Sequence, residues 1–201
     1  MSIKNIFSLA ASIIKLFIVF FLLCINSKAE ENNIKQYSKD EGVLSIMYHR
    51  FEEKKYPSTN IQMDIFKKHI QLIKDLNYEF IHPDEFKKKF NIPKKQKRIL
   101  LTIDDAFQSF YENAWPYLKK NKIPFILFVS TEPVGNKGYM TWNQIKELDN
   151  ENFAVIGHHS HSHEYLIEET NQNFIKDIEK ANIIFNEKIG YIPNLFSYPF
   201  G

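Results

Sequence analysis

One cysteine, Cys24, stands in 201 residues. It lies in an apolar N-terminal stretch, so no internal disulfide can brace the chain. Charge of one sign is scarce too: 26 Lys and Arg face 24 Asp and Glu, a net charge of +2. Lys4, Lys15 and Lys28 belong to an N-terminal stretch with no acidic residue. Without that stretch the body is near neutral and gives no footing for a nucleic-acid partner. The runs Lys87-Lys88-Lys89 and Lys94-Lys95 flank a turn around Pro93 and read as a solvated face rather than a phosphate track. There is no internal repeat, and no uninterrupted apolar run reaches the roughly 20 residues of a membrane span. At 44% hydrophobic and 25% charged residues, the composition is that of an ordinary globular chain, long enough for one domain with a sizeable core.

What is there begins with an export pattern. Lys4 and Lys15 precede an apolar run over residues 16–25, Ser27-Lys28-Ala29 supplies small residues, and a polar stretch opens at Glu30. Residues 1–29 therefore read as a signal peptide, with an uncleaved anchor as the alternative. Residues 30–41 read as a polar linker and 42–201 as the folded domain. The expected location is exported, in the periplasm or cell envelope, with membrane contact only through an uncleaved N-terminal segment. Leu23 is not the small residue that a lipoprotein signal places before its cysteine, so Cys24 reads as a small hydrophobe.

Beyond Gly42, short apolar runs alternate with amphipathic stretches. Residues 43–48, 78–81, 98–103, 125–129, 153–156 and 195–198 read as strands. The run at 98–103 is apolar nearly throughout, as expected of a strand covered on both faces. Helical spacing of Ile65, Phe66, Ile70, Ile73 and Leu76 predicts one helix, and that of Phe174, Ile178, Ala181 and Phe185 a longer one ending near Gly190. Shorter helices are predicted from His82-Pro83-Asp84, over 110–121 with Pro116 interrupting, and over 141–148. This alternation is the signature of parallel βα units with right-handed crossovers. Polar residues fall just after the strands: His49, Asp104 with Asp105, and a cluster from His158. In a (β/α) barrel such positions converge on one face, and an open doubly wound sheet would gather them as well. The expected fold class is α/β, a deformed (β/α) barrel incomplete at its C-terminal side, since only six strands are visible.

Two motifs carry chemistry. Asp104-Asp105 follows an apolar strand, and adjacent residues on an extended chain point to opposite sides. One carboxylate can then hold a cation while the other faces water; the alternative is a helix cap beside a solvated aspartate. The tract Gly157-His158-His159-Ser160-His161-Ser162-His163 holds four of the seven histidines. His159 and His163, four apart, can meet on one face of a helix or helical turn and share a metal. His158 and His161, three apart, are a second candidate pair. A carboxylate with two imidazoles suits Zn²⁺ or another divalent transition metal with open positions for water.

In this order the motifs resemble those of the polysaccharide deacetylases with a NodB-homology domain (carbohydrate esterase family four). Thr102-Ile103-Asp104-Asp105-Ala106 is similar to the first family motif, with Ala106 in place of glycine. His159-Ser160-His161-Ser162-His163 is similar to the second, and Ser197-Tyr198-Pro199-Phe200-Gly201 to the third, with Ser197 where many members carry arginine. Met47-Tyr48-His49-Arg50-Phe51 looks like the opening of the poly-N-acetylglucosamine deacetylase branch. The resemblance implies a NodB-type barrel and a metal-dependent hydrolase that removes N-acetyl groups from N-acetylhexosamine units of a polysaccharide. It implies Asp105, His159 and His163 as metal ligands, Asp104 as general base and His49 as general acid. The backbone N–H of Phe200 would be an oxyanion donor, and Tyr198, with Trp142, would line the sugar cleft. The implied metal is Zn²⁺, with Co²⁺, Ni²⁺ or Fe²⁺ as alternatives. An O-acetyl esterase on the same site, or a non-catalytic carbohydrate-binding scaffold, are the competing expectations.

Overall fold

The computed structural model describes residues 43–88 and 97–200, the side chains of residues 86–88 excepted. Residues 1–42, where an export segment and a linker are expected and Cys24 lies, and residues 89–96, where a turn is expected around Pro93, lie outside the described residues. Among the described residues no helix is long and apolar enough to cross a membrane.

The sheet is built around two strands with almost no polar face. Strand β1 (Val43–Tyr48) pairs in parallel with the long strand Arg98–Asp104, Val43 opposite Arg98 and Tyr48 opposite Ile103. Arg50–Phe51 (β2) and Asn60–Ile61 (β3) form a separate short parallel ladder, and Glu79–Phe80 (β4) joins the first residues of Arg98–Asp104 (β5). Phe125–Val129 (β6) pairs with the end of β5, and Ala154–His158 (β7) pairs with β6. All these pairings are parallel, as the strand and helix alternation requires. Every residue of β6, and every residue of β5 after Arg98, is buried, which is why both read as continuous apolar runs.

Helices cover this sheet. Met63–Asp75 (α1) buries Phe66, Ile70 and Ile73, the stripe seen in the sequence, and Pro83–Lys88 (α2) starts on its proline. The predicted 110–121 helix is a π-helical turn, Phe110–Ala114, running into Trp115–Asn121 (α3). Pro116 sits in the first turn of α3, where its missing N–H is an orphan anyway. Trp142–Asp149 (α4) is opened by a capping box between Thr141 and Gln144. Asn171–Ile189 (α5) is capped by Thr170 and closed by Gly190 at φ 84°. The core is largely aromatic: Phe51 meets Phe66 edge to face at 5.1 Å, and Phe110 meets Phe125 at 5.7 Å. Trp142, half-buried, packs edge to face on Phe185 at 5.9 Å, against this core.

One expected strand is not formed. Around residues 195–198 there is a single bridge, Phe196 beside His158, carried by His158 N–H to Leu195 O and Ser197 N–H to His158 O. Pro193 and Pro199 bracket the segment, and neither can donate to a longer ladder. The segment still matters, because it lays Ser197 against the histidine tract.

Gly157 in β7 has a packing reason rather than a conformational one. A Cβ there would run into the Phe128 ring and come within 2.9 Å of Ile126 Cγ2. Gly157→Ala is expected to lower stability by about 1–3 kcal/mol through overpacking directly beneath the site, measured by urea unfolding.

Candidate active site

His49, Asp104 and His158 close or follow β1, β5 and β7, so the parallel topology brings them to one edge of the sheet. Strand β5 ends at Asp104, and the chain then turns through two left-handed residues, Asp105 at φ 74° and Ala106 at φ 53°. Left-handed geometry costs a residue with a Cβ about 1–2 kcal/mol, the expense expected for alanine at the family's glycine position. The turn is held by Met140 N–H to Ala106 O at 2.8 Å and Gln108 N–H to Gly138 O at 2.8 Å. Because Asp105 has left the strand, the two carboxylates do not point to opposite sides. Both face one imidazole: His159 Nε2 is 4.0 Å from Asp104 Oδ2 and 3.5 Å from Asp105 Oδ1.

The histidine tract is not helical either. His158 ends β7, and the next five residues form an irregular loop with Ser160 at φ 68° and His163 at φ 59°. The loop, not a helical turn, brings His159 and His163 together, with ring centroids 5.0 Å apart. Ser160 braces the bend from within: its amide donates to His158 Nδ1 at 3.0 Å and its hydroxyl accepts from the His163 amide at 3.1 Å. His158 and His161 do not pair. His158 packs between Phe185 and Phe196, each at 5.1 Å, and His161 Nδ1 meets Thr131 Oγ1 at 2.7 Å.

Asp105, His159 and His163 each bring a ligand atom to one place, all within 4.8 Å of one another. The His159 tautomer is fixed by its neighbour, since a carbonyl only accepts and Ser197 O lies 2.8 Å from Nδ1. Nδ1 must carry the proton, leaving the Nε2 lone pair facing the carboxylates. His163 Nε2 lies 2.9 Å from Asp105 Oδ1, close enough for an ion pair but without hydrogen-bond direction. Asp104 Oδ1 and Asp105 Oδ1 are buried with no hydrogen-bond partner. Buried carboxylate oxygens left this way are costly, and a divalent cation between them and two imidazoles would satisfy them. The donor set fits such an ion.

The electrostatics separate the two aspartates. Burial pushes Asp104 up to about 7, with the Asp105 charge adding to it and His163 opposing. Burial pushes Asp105 the same way, but its contact with His163 and the nearby charges of His163, His159 and His49 outweigh it and hold this carboxyl below its usual value. Burial lowers His159 to about 4, so it is neutral at pH 7 as a ligand must be. His163 is raised, first by its contact with Asp105. His49 is lowered by burial, against the pull of the Asp105 charge.

Arg50 follows His49 but takes no part in orienting Asp104. Its guanidinium lies 3.4 Å from the Phe107 ring centre and 4.0 Å from that of Tyr56, and it pairs with Glu53 at 3.1 Å. Beside His163 the Phe200 ring stands edge-on at 4.9 Å, itself 5.8 Å from Tyr165, and Tyr198 meets Phe196 at 4.9 Å. All four rings are exposed, so an aromatic rim borders the histidines. Tyr165 and Phe196 had no motif to mark them in the sequence.

Residues 91–201, more than half of the chain, match the family described as polysaccharide deacetylase. The chain belongs to the polysaccharide deacetylase family. Within it, the chain is 25% identical to the poly-β-1,6-N-acetyl-D-glucosamine N-deacetylase of Staphylococcus epidermidis, over 88% of this chain and 71% of that protein. The solved structure of IcaB from Ammonifex degensii is 27% identical at a TM-score of 0.71, covering 81% of this chain and 76% of that one. Streptococcus pyogenes deacetylase PplD, solved with acetate, is 22% identical at a TM-score of 0.69 over 80% of this chain and 75% of its own, and shares the fold. The NodB-type α/β fold expected from the motifs is thus the fold of this deacetylase-family chain, and its relationship to the poly-N-acetylglucosamine branch is a distant one.

Proposed function

We propose that this chain is an exported, metal-dependent N-deacetylase that hydrolyses the acetamide of N-acetylhexosamine units in a polysaccharide, with poly-β-1,6-N-acetylglucosamine the favoured polymer. One observation carries the reading: Asp105, His159 and His163 converge within 4.8 Å beside a second buried carboxylate, Asp104, whose pKa is pushed up to about 7. The branch relationship and the printed activity of the staphylococcal relative support the polymer. The export reading of residues 1–29 supports the location.

Asp105, His159 and His163 would hold the divalent cation, with zinc the favoured ion. When bound, the cation supplies Lewis acidity and acidifies water at its open positions. Asp104 takes the proton from the attacking water, a role for which a pKa near the working pH is suited. The water oxygen adds to the acetamide carbonyl carbon, and the backbone N–H of Phe200 steadies the negative charge that develops on the carbonyl oxygen. His49, in its protonated form, gives a proton to the departing nitrogen as the C–N bond breaks. Acetate and a free amine leave. The exposed rings of Tyr165, Tyr198 and Phe200 give the sugar a face to rest on beside the histidines.

The linkage is tested by comparing acetate release from β-1,6-linked N-acetylglucosamine oligomers, β-1,4-linked oligomers and O-acetylated glycans. The β-1,6-linked oligomers are expected to give the highest kcat/KM. Faster release from the esters than from every amide would replace the N-deacetylase reading with an esterase.

A further inference from the structure

The loop that carries His159 and His163 is secured from two sides, the end of β6 and helix α5. From the end of β6, Ser130 Oγ donates to His159 O at 2.6 Å, Thr131 N–H to Ser160 O at 3.3 Å and Glu132 N–H to His161 O at 3.0 Å. These bonds satisfy the carbonyls of His159, Ser160 and His161. Among the loop amides, His159 N–H reaches Val129 O, while Ser160 and His163 use partners inside the tract. The consecutive amides of His161 and Ser162 are left, and both point at one carboxylate on α5.

Asp177 Oδ2 accepts from His161 N–H at 2.7 Å, and Asp177 Oδ1 accepts from Ser162 N–H at 2.9 Å and from Ser162 Oγ–H at 2.6 Å. One side chain thus completes the partnering of the amides of residues 159–163. Its two amides sit between the left-handed residues Ser160 and His163, the conformations with most to gain from relaxing. Two successive amides in such a bend form a concave anion site, and here the anion is supplied by the chain itself.

We propose that Asp177 is a positioning residue for the metal centre: it clamps the His159–His163 loop in its left-handed form and so sets where the His163 imidazole stands relative to Asp105. The inference rests on the metal-site reading above. Without the clamp, two amides must turn to water, the loop can leave its left-handed geometry, and the third ligand drifts while the fold persists.

The test uses the 201-residue chain with Co²⁺ as probe, reading the dissociation constant and the visible ligand-field spectrum. Asp177→Ala is expected to weaken Co²⁺ binding by roughly 10- to 100-fold, the range seen when supports of metal ligands are removed, and to change the spectrum. Asp177→Asn, which keeps one good acceptor, should fall between and decides the matter if the alanine variant does not fold. Asp149→Ala is the structural control: it deletes a carboxylate that binds the Tyr191 hydroxyl at 2.5 Å, and should lower Tm with Co²⁺ affinity and spectrum unchanged. Wild-type affinity and spectrum in the folded Asp177 variants would overturn the clamp alone. An equal loss in Asp149→Ala would reduce it to general destabilisation. A wild-type chain that does not bind Co²⁺ would overturn the metal-site reading, and the clamp with it.

Discussion

Asp104→Asn is expected to lower kcat by roughly 10²–10⁴-fold, the usual contribution of a general base, while leaving one metal bound per chain. The same substitution should stabilise the metal-free protein above pH 7. Asp104 is 3% exposed, and burial with the Asp105 charge lifts it from 3.8 to about 7. Between those values the native state keeps a proton that the unfolded chain has released. Wild-type stability from this group is therefore full below pH 4 and is lost as the pH rises toward 7. At 1.36 kcal/mol per pH unit the loss is on the order of 4 kcal/mol. An asparagine avoids the charge but leaves amide protons without partners, which returns about 1–3 kcal/mol of that gain. The net expectation is a metal-free variant more stable than wild type by about 2 kcal/mol at pH 8, and no more stable at pH 4. His159 acts in the opposite sense: lowered to about 4, it contributes stability above its ordinary pKa of 6.5 and loses it as the pH falls toward 4. Urea titrations of both proteins at pH 4, 6 and 8, with chelator present, separate the two.

His159→Ala combined with His163→Ala is the second large effect. Two of the three ligand atoms gathered within 4.8 Å disappear, so Zn²⁺ affinity should fall by more than roughly 100-fold, beyond what loss of a supporting group alone produces. The wild-type chain should gain about 2.7 kcal/mol from metal at 100 times its dissociation constant, and the double variant nothing at the same concentration. Calorimetry of binding and thermal unfolding with and without Zn²⁺ read both. Undiminished affinity in the double variant would remove Asp105, His159 and His163 as the ligand set.

Much of the fold was legible because β5, β6 and the apolar stripes of α1 and α5 state their burial directly in residue type. The ends of these elements also signalled themselves, through Gly190, Pro83 and the polar residues that follow strands. The candidate site was legible by kind rather than by shape. Asp105, His159 and His163 were marked by their motifs, but the expected geometry was wrong in two places. Asp105 leaves the strand through a left-handed turn instead of alternating along it, and the histidines meet through a loop with two left-handed residues instead of a helical turn. Neither conformation has a residue signature here, since Asp105, Ser160 and His163 all carry a Cβ, and tertiary hydrogen bonds impose what local preference would refuse. Asp177 was invisible for a similar reason: an aspartate on an amphipathic helix looks like any solvated acid until the loop folds against it. The 195–198 segment read as a strand from its apolar residues, yet Pro193 and Pro199 leave it only two ladder bonds.

The central claim is that this site hydrolyses an amide with the help of a divalent cation held by Asp105, His159 and His163. Acetate release by the 201-residue chain from β-1,6-linked N-acetylglucosamine oligomers, followed before chelation, after chelation and after Zn²⁺ is returned, tests it most directly. The account predicts release, its loss on chelation, and its recovery with close to one equivalent of Zn²⁺. Release that continues undiminished in the chelated protein would contradict it.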